Sequence, residues 1–292
     1  MKIFITGGSG ILGQYINLEL SKKHEILTQY QSNVGNCNKF NNVKMSITDY
    51  DKLSEIFSSF KPDVIIHTAA ISKPELADQI PAKEVFEINV NATKKIAELC
   101  NIHNAMMIYM STDLVYAGYR GSMLSEDSRL IPISIYAETK LMGEAKIQET
   151  FDNYIILRES LLIGFGLNHS RNNFHLMYDY LSNGKPVKLY IDQYRTPLAL
   201  YDAARMIGEL VEKDVKNVVL NFGGNERVSR YELGEIVCEE TGFDKSLLIK
   251  TTMEEANLSY IVADVSLSTD RLKSFGITPT ELRESIQKIN TK

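Results

Sequence analysis

The chain has 292 residues, 44% of them hydrophobic and 24% charged, with a formal net charge of −5. That is the composition of a globular protein, not of a disordered, collagen-like or disulfide-framework chain. The acidic balance argues against a nucleic-acid partner, which calls for a basic face. No apolar run reaches the ~18 residues of a membrane span, because Arg158 and Glu159 interrupt the best candidate, residues 154–165. Cys37, Cys100 and Cys238 are scattered and form no C-x-x-C pair, so they read as reduced thiols. The three apolar residues before the first glycines are too few for a signal-peptide core. The expectation is a soluble cytoplasmic protein with no membrane partner.

Apolar runs that read as buried strands occur at residues 2–6, 25–30, 63–70, 105–112 and 154–163, with a weaker one at 43–47. Helical patterns lie between them at 11–23, 49–60, 82–102 and 135–151, with Asp49 as an N-cap. This β-α-β alternation predicts a parallel sheet with right-handed crossovers. After residue 164 the pattern loosens into helices at 174–182, 202–213 and 229–241 and short strands at 187–190 and 218–222. The expected fold class is α/β, a Rossmann-type doubly wound parallel sheet with a smaller C-terminal substrate-binding lobe. Residues 1–163 would form the NAD(P)-binding core, and 164–292 mainly the lobe, with segments returning to the core.

The first strand runs into TGGSGILG. Glycines between a strand and a helix let the backbone approach a pyrophosphate, whose charge meets the helix N-terminus. Gly8, Gly10 and Gly13 spell G-x-G-x-x-G, whereas Gly7, Gly10 and Gly13 spell G-x-x-G-x-x-G. The first register expects an acid at the end of the second strand to bind the ribose 2′-hydroxyl. That end reads ILTQYQSN, without one. Gln29, Gln31 and Ser32 leave room for a 2′-phosphate, which favours NADP(H) over NAD(H), although no arginine stands nearby to bind it.

Residues 132–144, PISIYAETKLMGE, place Tyr136 and Lys140 four apart, on one face of a helix. A neighbouring ammonium would lower the phenol toward working pH, making Tyr136 a proton donor to a carbonyl. Lys140 could also hold the ribose of a nicotinamide cofactor. The preceding strand ends in Ser111, Thr112 and Asp113, where a hydroxyl can stabilise charge building on a carbonyl oxygen. The five histidines show no paired-ligand spacing, so no metal site is expected, and His67 reads as a satisfied core histidine.

TGGSGILG, HTAAIS, STDLVY, YAETKLMGE, NNF, DQYRTP and SLSTDRLKSFGI together resemble the extended short-chain dehydrogenase/reductase superfamily, and within it the dTDP-4-dehydrorhamnose reductase family. The resemblance spans the chain and selects the Gly7, Gly10, Gly13 register. It implies Tyr136 as acid, Lys140 as its helper and Thr112 as the carbonyl-polarising hydroxyl. Ile11, Leu12 and Gly13 would approach the pyrophosphate, and Gln29 would stand at the 2′ position. Ser46 and Ile47 would border the adenine; Ala69, Ala70, Ile71 and Ser72 would line the ribose and nicotinamide. Thr112, Asp113, Tyr136 and Asn173 would meet a nucleotide-sugar substrate, and the arrangement is compatible with a homodimer.

The chain departs from the family pattern at several positions. Its R-T-S-W is Arg158-Glu159-Ser160-Leu161, the glutamate of its intersubunit magnesium site is Tyr15, the glycine of D-Q-Y-G-x-P is Arg195, and the T-x-V-D pattern is absent from residues 70–78. The leading expectation is an NAD(P)H-dependent reductase of a nucleotide-activated 4-keto-6-deoxysugar. The alternatives are a nucleotide-sugar epimerase of the same superfamily, or a cofactor-binding regulatory subunit resembling that of methionine adenosyltransferase.

Overall fold

In the computed structural model, which describes residues 1–291, strands of the first half divide their apolar residues between two cores. Ile3 and Ile5 go to one face and Phe4 to the other; Ile108 and Met110 oppose Met107 and Tyr109; Ile155 and Leu157 oppose Tyr154 and Ile156. Alternate side chains of a strand point to opposite faces, so a continuous apolar run requires cover on both, which helices supply.

The strands in chain order are β1 Lys2–Thr6, β2 Glu25–Tyr30, β3 Asn41–Lys44, β4 Val64–His67, β5 Met106–Thr112, β6 Tyr154–Glu159, β7 Leu162–Ile163, β8 Val187–Tyr190, β9 Tyr194–Arg195, β10 Leu198–Ala199, β11 Val218–Phe222, β12 Val228–Ser229 and β13 Leu248–Thr251. The helices are α1 Ile11–Leu20, α2 Tyr50–Ser59, α3 Pro74–Gln79, α4 Ala82–Phe86, α5 Ala92–His103, α6 Ile135–Thr150, α7 Asn173–Ser182, α8 Leu200–Val211, α9 Arg230–Thr241, α10 Asp270–Ser274 and α11 Leu282–Asn290. Seven strands form one parallel sheet in the order β11-β6-β5-β4-β1-β2-β3. The order reverses between β1 and β4, and the crevice beyond the strand ends at that point is where such sheets bind ligands.

Residues beyond 163 return to this sheet: β11 completes its edge, and α8 packs Ala203, Met206, Ile207 and Leu210 with Leu12, Ile16 and Leu20 of α1. A third core, with Phe174, Met177, Leu233, Val237 and Ile286, gathers α7, α9 and α11 beside the parallel pair β8–β13. Helix α9 is closed at both ends, by a capping box between Ser229 and Glu232 and by Gly242 at φ +77°.

Three expected elements differ. The helix expected at 82–102 is interrupted by a π turn, Glu87–Asn91, between α4 and α5. Asn89 uses that turn to accept from the Ile71 N–H at 2.9 Å and donate to the Ile71 carbonyl at 3.2 Å. The strand expected at 154–163 breaks at Ser160, whose hydroxyl bonds Asp113 at 3.2 Å while Thr196 donates to it at 3.2 Å. The weak strand near 43–47 sits earlier, at β3. The N-cap forms as expected, Asp49 accepting from the Lys52 N–H at 3.1 Å.

Candidate active site

The glycine loop turns at Gly7, which has φ +68°, and closes with the Gly10 N–H donating to the Gly7 carbonyl at 2.9 Å. A Cβ on Gly13 would lie 2.3 Å from that carbonyl, and one on Gly7 would lie 2.7 Å from the Ala69 nitrogen. The start of α1 therefore lies directly against the loop, and the loop against the residues that follow β4. Helix α1 begins without a side-chain cap or a first-turn acid, so its N–H groups and dipole are left for an anion. Gly8 has no room for a side chain either, its Cβ meeting Thr28; steric need alone does not separate the two registers, whereas the left-handed turn falls on Gly7.

Gln29 lies beneath this loop. It is 2% exposed, accepts from the Gly7 N–H at 2.8 Å and donates to the Met45 carbonyl at 2.7 Å. Both ends of its amide are thus committed to building the loop, a role its expected place at the 2′ position did not anticipate. Ser46 bonds Thr48 at 2.8 Å and Ile47 is buried after β3. Ala69, Ala70, Ile71 and Ser72 follow β4, Ala69 directly against Gly7 and Ile71 held by Asn89. His67 is buried between Thr6 at 2.6 Å and Thr93 at 3.0 Å. Burial, reinforced by the charge of Lys140, lowers it to about 3, so it is a neutral core imidazole.

Ser134 caps α6 by accepting from the Ala137 N–H at 3.2 Å, and the first turns of this helix carry Tyr136 and Lys140, both buried. The Tyr136 ring packs with Ile71, Ala77 and Val85. Thr112, at the end of β5, reaches the Tyr136 phenol with its hydroxyl and caps the following turn through the Leu114 N–H at 3.3 Å. The structure thus brings Thr112, Tyr136 and Lys140 together at the C-terminal edge of the sheet. It corrects the expected protonation, however. Burial and then the charge of Glu159 raise the Tyr136 phenol. Burial lowers Lys140 to about 7, against the pull of Glu159 and Glu144. Its ammonium lies 4.0 Å from the centre of the Tyr109 ring. At Lys140 removal from water outweighs the neighbouring carboxylates, whereas at Tyr136 burial and the neighbouring charge act in the same direction.

Three acids stand around this pair. Glu144, two turns along α6, is 2% exposed and meets Arg158 of β6 at 2.8 Å. Arg158 also donates to the Tyr116 hydroxyl at 2.9 Å and to the Glu126 carbonyl at 3.0 Å, while Ser111 bonds the same carboxylate. Asp113 is buried; Ser160 bonds it, and Arg195 lies 3.6 Å away. Burial raises this carboxyl against those partners. Glu159 ends β6, and burial with the neighbouring Asp113 charge raises it to about 8 despite Lys140.

A cavity of about 300 Å³ opens in the second lobe, lined by Asn173, Phe174, Tyr180, Lys188, Tyr190 and Arg230 among others. Asn173 is the first residue of α7, and Asn172 caps that helix through the His175 N–H at 2.9 Å. Arg230 relates this cavity to the end of β5, because its charge is felt together with those of Arg195 and Asp113. Arg230, Glu144 and Asn89 were not singled out from the sequence, and Arg195 and Glu159 stood out only as departures from the family pattern. A charged residue inside an apolar strand, as at Arg158 and Glu159, was the available signal.

The model of the RmlD substrate binding domain family matches residues 1–292. The chain belongs to that family. It thereby falls within the extended short-chain dehydrogenases/reductases, as the motifs implied. It is 26% identical to a dTDP-4-dehydrorhamnose reductase of Aggregatibacter actinomycetemcomitans, over 99% of this chain and 98% of that one. It is 25% identical to the methionine adenosyltransferase 2 subunit beta of Xenopus laevis, over 94% of this chain and 83% of that one. The crystal structure of the dTDP-4-dehydrorhamnose reductase of Bacillus anthracis in complex with NADP superposes with a TM-score of 0.87 at 21% identity, covering 99% of this chain and 98% of that one.

Two departures from the family's motifs have visible structural consequences. Arg195, in the place of a glycine, supplies the guanidinium beside Asp113. Tyr15 donates its hydroxyl to the Phe165 carbonyl at 2.7 Å, tying α1 to the loop that leads into α7.

Proposed function

We propose that this protein reduces the carbonyl of a nucleotide-linked 4-keto-6-deoxysugar with a nicotinamide dinucleotide as reductant. The observation that carries this reading is the convergence of Thr112, Tyr136 and Lys140 beside a glycine cradle too tight for a Cβ. The cradle suits a pyrophosphate, with N–H groups from the first turn of α1 and no acid near them. A bound nicotinamide supplies the hydride. Tyr136 delivers a proton to the carbonyl oxygen, and the raised phenol keeps that proton available through neutral pH. Thr112 donates to the same oxygen as charge builds on it. Lys140 in its ammonium form holds the ribose hydroxyls and balances the negative charge left on Tyr136.

The cavity of the second lobe supports a nucleotide on the substrate. Phe174, Tyr180 and Tyr190 offer ring faces for a base, and Arg230, facing the catalytic end, suits a diphosphate. The acid-free end of β2 favours NADP(H) over NAD(H). The test is to mix the purified protein with NADPH and a panel of nucleotide 4-keto-sugars, dTDP-4-dehydrorhamnose included, and follow nicotinamide absorbance. Oxidation with at least one member is expected. Binding of NADPH with no oxidation, together with stoichiometric capture of an enzyme partner, would favour the regulatory role that the likeness to the methionine adenosyltransferase subunit suggests.

A further inference from the structure

Asp113 and Glu144, two of the three acids around Tyr136 and Lys140, have partners. Asp113 holds Ser160 and Arg195, and Glu144 holds Arg158 and Ser111. The Glu159 side chain makes no hydrogen bond or ion pair with any described residue, although its charge is felt at Lys140. Its chain neighbours Arg158 and Ser160 direct their polar groups into the protein, whereas Glu159 is only part-buried.

Its position is fixed by the sheet. Glu159 is the last residue of β6, in register with Thr112 of β5 on one side and Phe222 of β11 on the other. Parallel neighbours stand about 4.8 Å apart with their side chains on the same face. The Glu159 carboxyl therefore projects beside the Thr112 hydroxyl, and its charge is felt at Tyr136 and Lys140. A carbonyl oxygen seated between Thr112 and Tyr136 would bring the ring carbon next to it against Glu159. A carboxyl with no hydrogen-bond partner, once a substrate covers it, is costly unless a donor meets it.

We propose that Glu159 is a specificity-determining residue that accepts a hydrogen bond from a hydroxyl or amino group on the ring carbon adjacent to the reacting carbonyl. In a 4-keto-6-deoxysugar that carbon is C3, since C5 carries the methyl group. The proposal rests on the reductase reading above.

The test compares kcat/KM for dTDP-4-dehydrorhamnose, its 3-deoxy analogue and its 3-amino-3-deoxy analogue, with NADPH, in the wild type, Glu159→Gln and Glu159→Thr. Assayed above pH 8, where Glu159 is ionised, a hydrogen bond to the charged acceptor predicts that the wild type prefers a C3 donor over the 3-deoxy analogue by about ten- to hundredfold. That ratio should shrink in Glu159→Gln and approach one in Glu159→Thr. Whichever of hydroxyl and amine the wild type favours identifies the donor, and an amine should lose more than a hydroxyl in Glu159→Gln. Each ratio is taken within one preparation, so a partly folded variant does not alter it. Equal kcat/KM for all three analogues in the wild type, or a preference that persists in Glu159→Thr, would overturn the assignment while leaving the reductase reading intact. No oxidation of NADPH with any of the three would overturn both.

Discussion

Replacing Arg158 by methionine isolates the buried ion pair that joins β6 to α6. Arg158 is 4% and Glu144 2% exposed, and the guanidinium reaches the carboxylate with Nη2 at 2.8 Å and with Nε at 3.2 and 3.3 Å. Methionine fills much of the volume but leaves Glu144 charged, buried and held only by Ser111, and it strips a donor from Tyr116 and from the Glu126 carbonyl. Breaking such a pair from one side costs about 3–5 kcal/mol, a large share of the ~5–15 kcal/mol typical of a folded chain. At about 2 °C per kcal/mol for a chain of this size, the melt should fall by about 6–10 °C. Adding Glu144→Gln to Arg158→Met should recover much of the loss, because the amide has no charge to strand. Thermal and urea unfolding of the wild type, both single variants and the double variant give the coupling directly. A melt for Arg158→Met unchanged from wild type, or a double variant no better than Arg158→Met, would refute the claim that the pair pins α6 to β6.

The remaining predictions concern the site. Tyr136→Phe keeps the ring packed among Ile71, Ala77 and Val85 and should lower turnover by about 10²–10⁴ with little change in melt or NADPH affinity; wild-type turnover would refute the assigned acid. Thr112→Val should cost about 10²–10³ in kcat, measured on the same substrate. NADPH affinity should fall as pH rises through about 7, where buried Lys140 gives up its proton, and Glu159→Gln should move that fall to lower pH by removing the leading charge that favours the ammonium. A titration flat through neutrality would contradict this. Gly13→Ala drives a Cβ against the Gly7 carbonyl and the Gly8 Cα; it should cost about 1–3 kcal/mol in stability and weaken NADPH binding, both read by melting with and without cofactor.

The sequence carried the β1–α1 unit plainly, because an apolar run, a glycine turn and a helical pattern are all local signals. The Tyr136–Lys140 spacing was legible for the same reason. Their protonation was not, since it depends on residues from α3 and α4 that bury the phenol and on Glu159 arriving from another strand. The π turn at Glu87–Asn91 and the break at Ser160 follow from hydrogen bonds to residues distant in sequence, which leave no periodicity to read. The bonds of Gln29 to Gly7 and Met45 were hidden in a different way. It sits in ILTQY, a strand buried throughout its middle, and a polar residue there spends its groups within the fold.

The edge strand β11 has a consequence for how the chain is made. Sheet strands β1 to β6 leave the ribosome well before Val218–Phe222, and α8, the cover for Leu12, Ile16 and Leu20 on α1, also comes late. Until then β6 is an open, apolar edge and one face of the nascent sheet is bare, the condition under which partly made chains associate with one another. A fragment ending at residue 163 should therefore be recovered as aggregate, whereas one extended through β11 and α8 gains both missing covers. The N-terminal strands thus depend on residues encoded after position 163, and dividing the gene there would separate the sheet from its own edge.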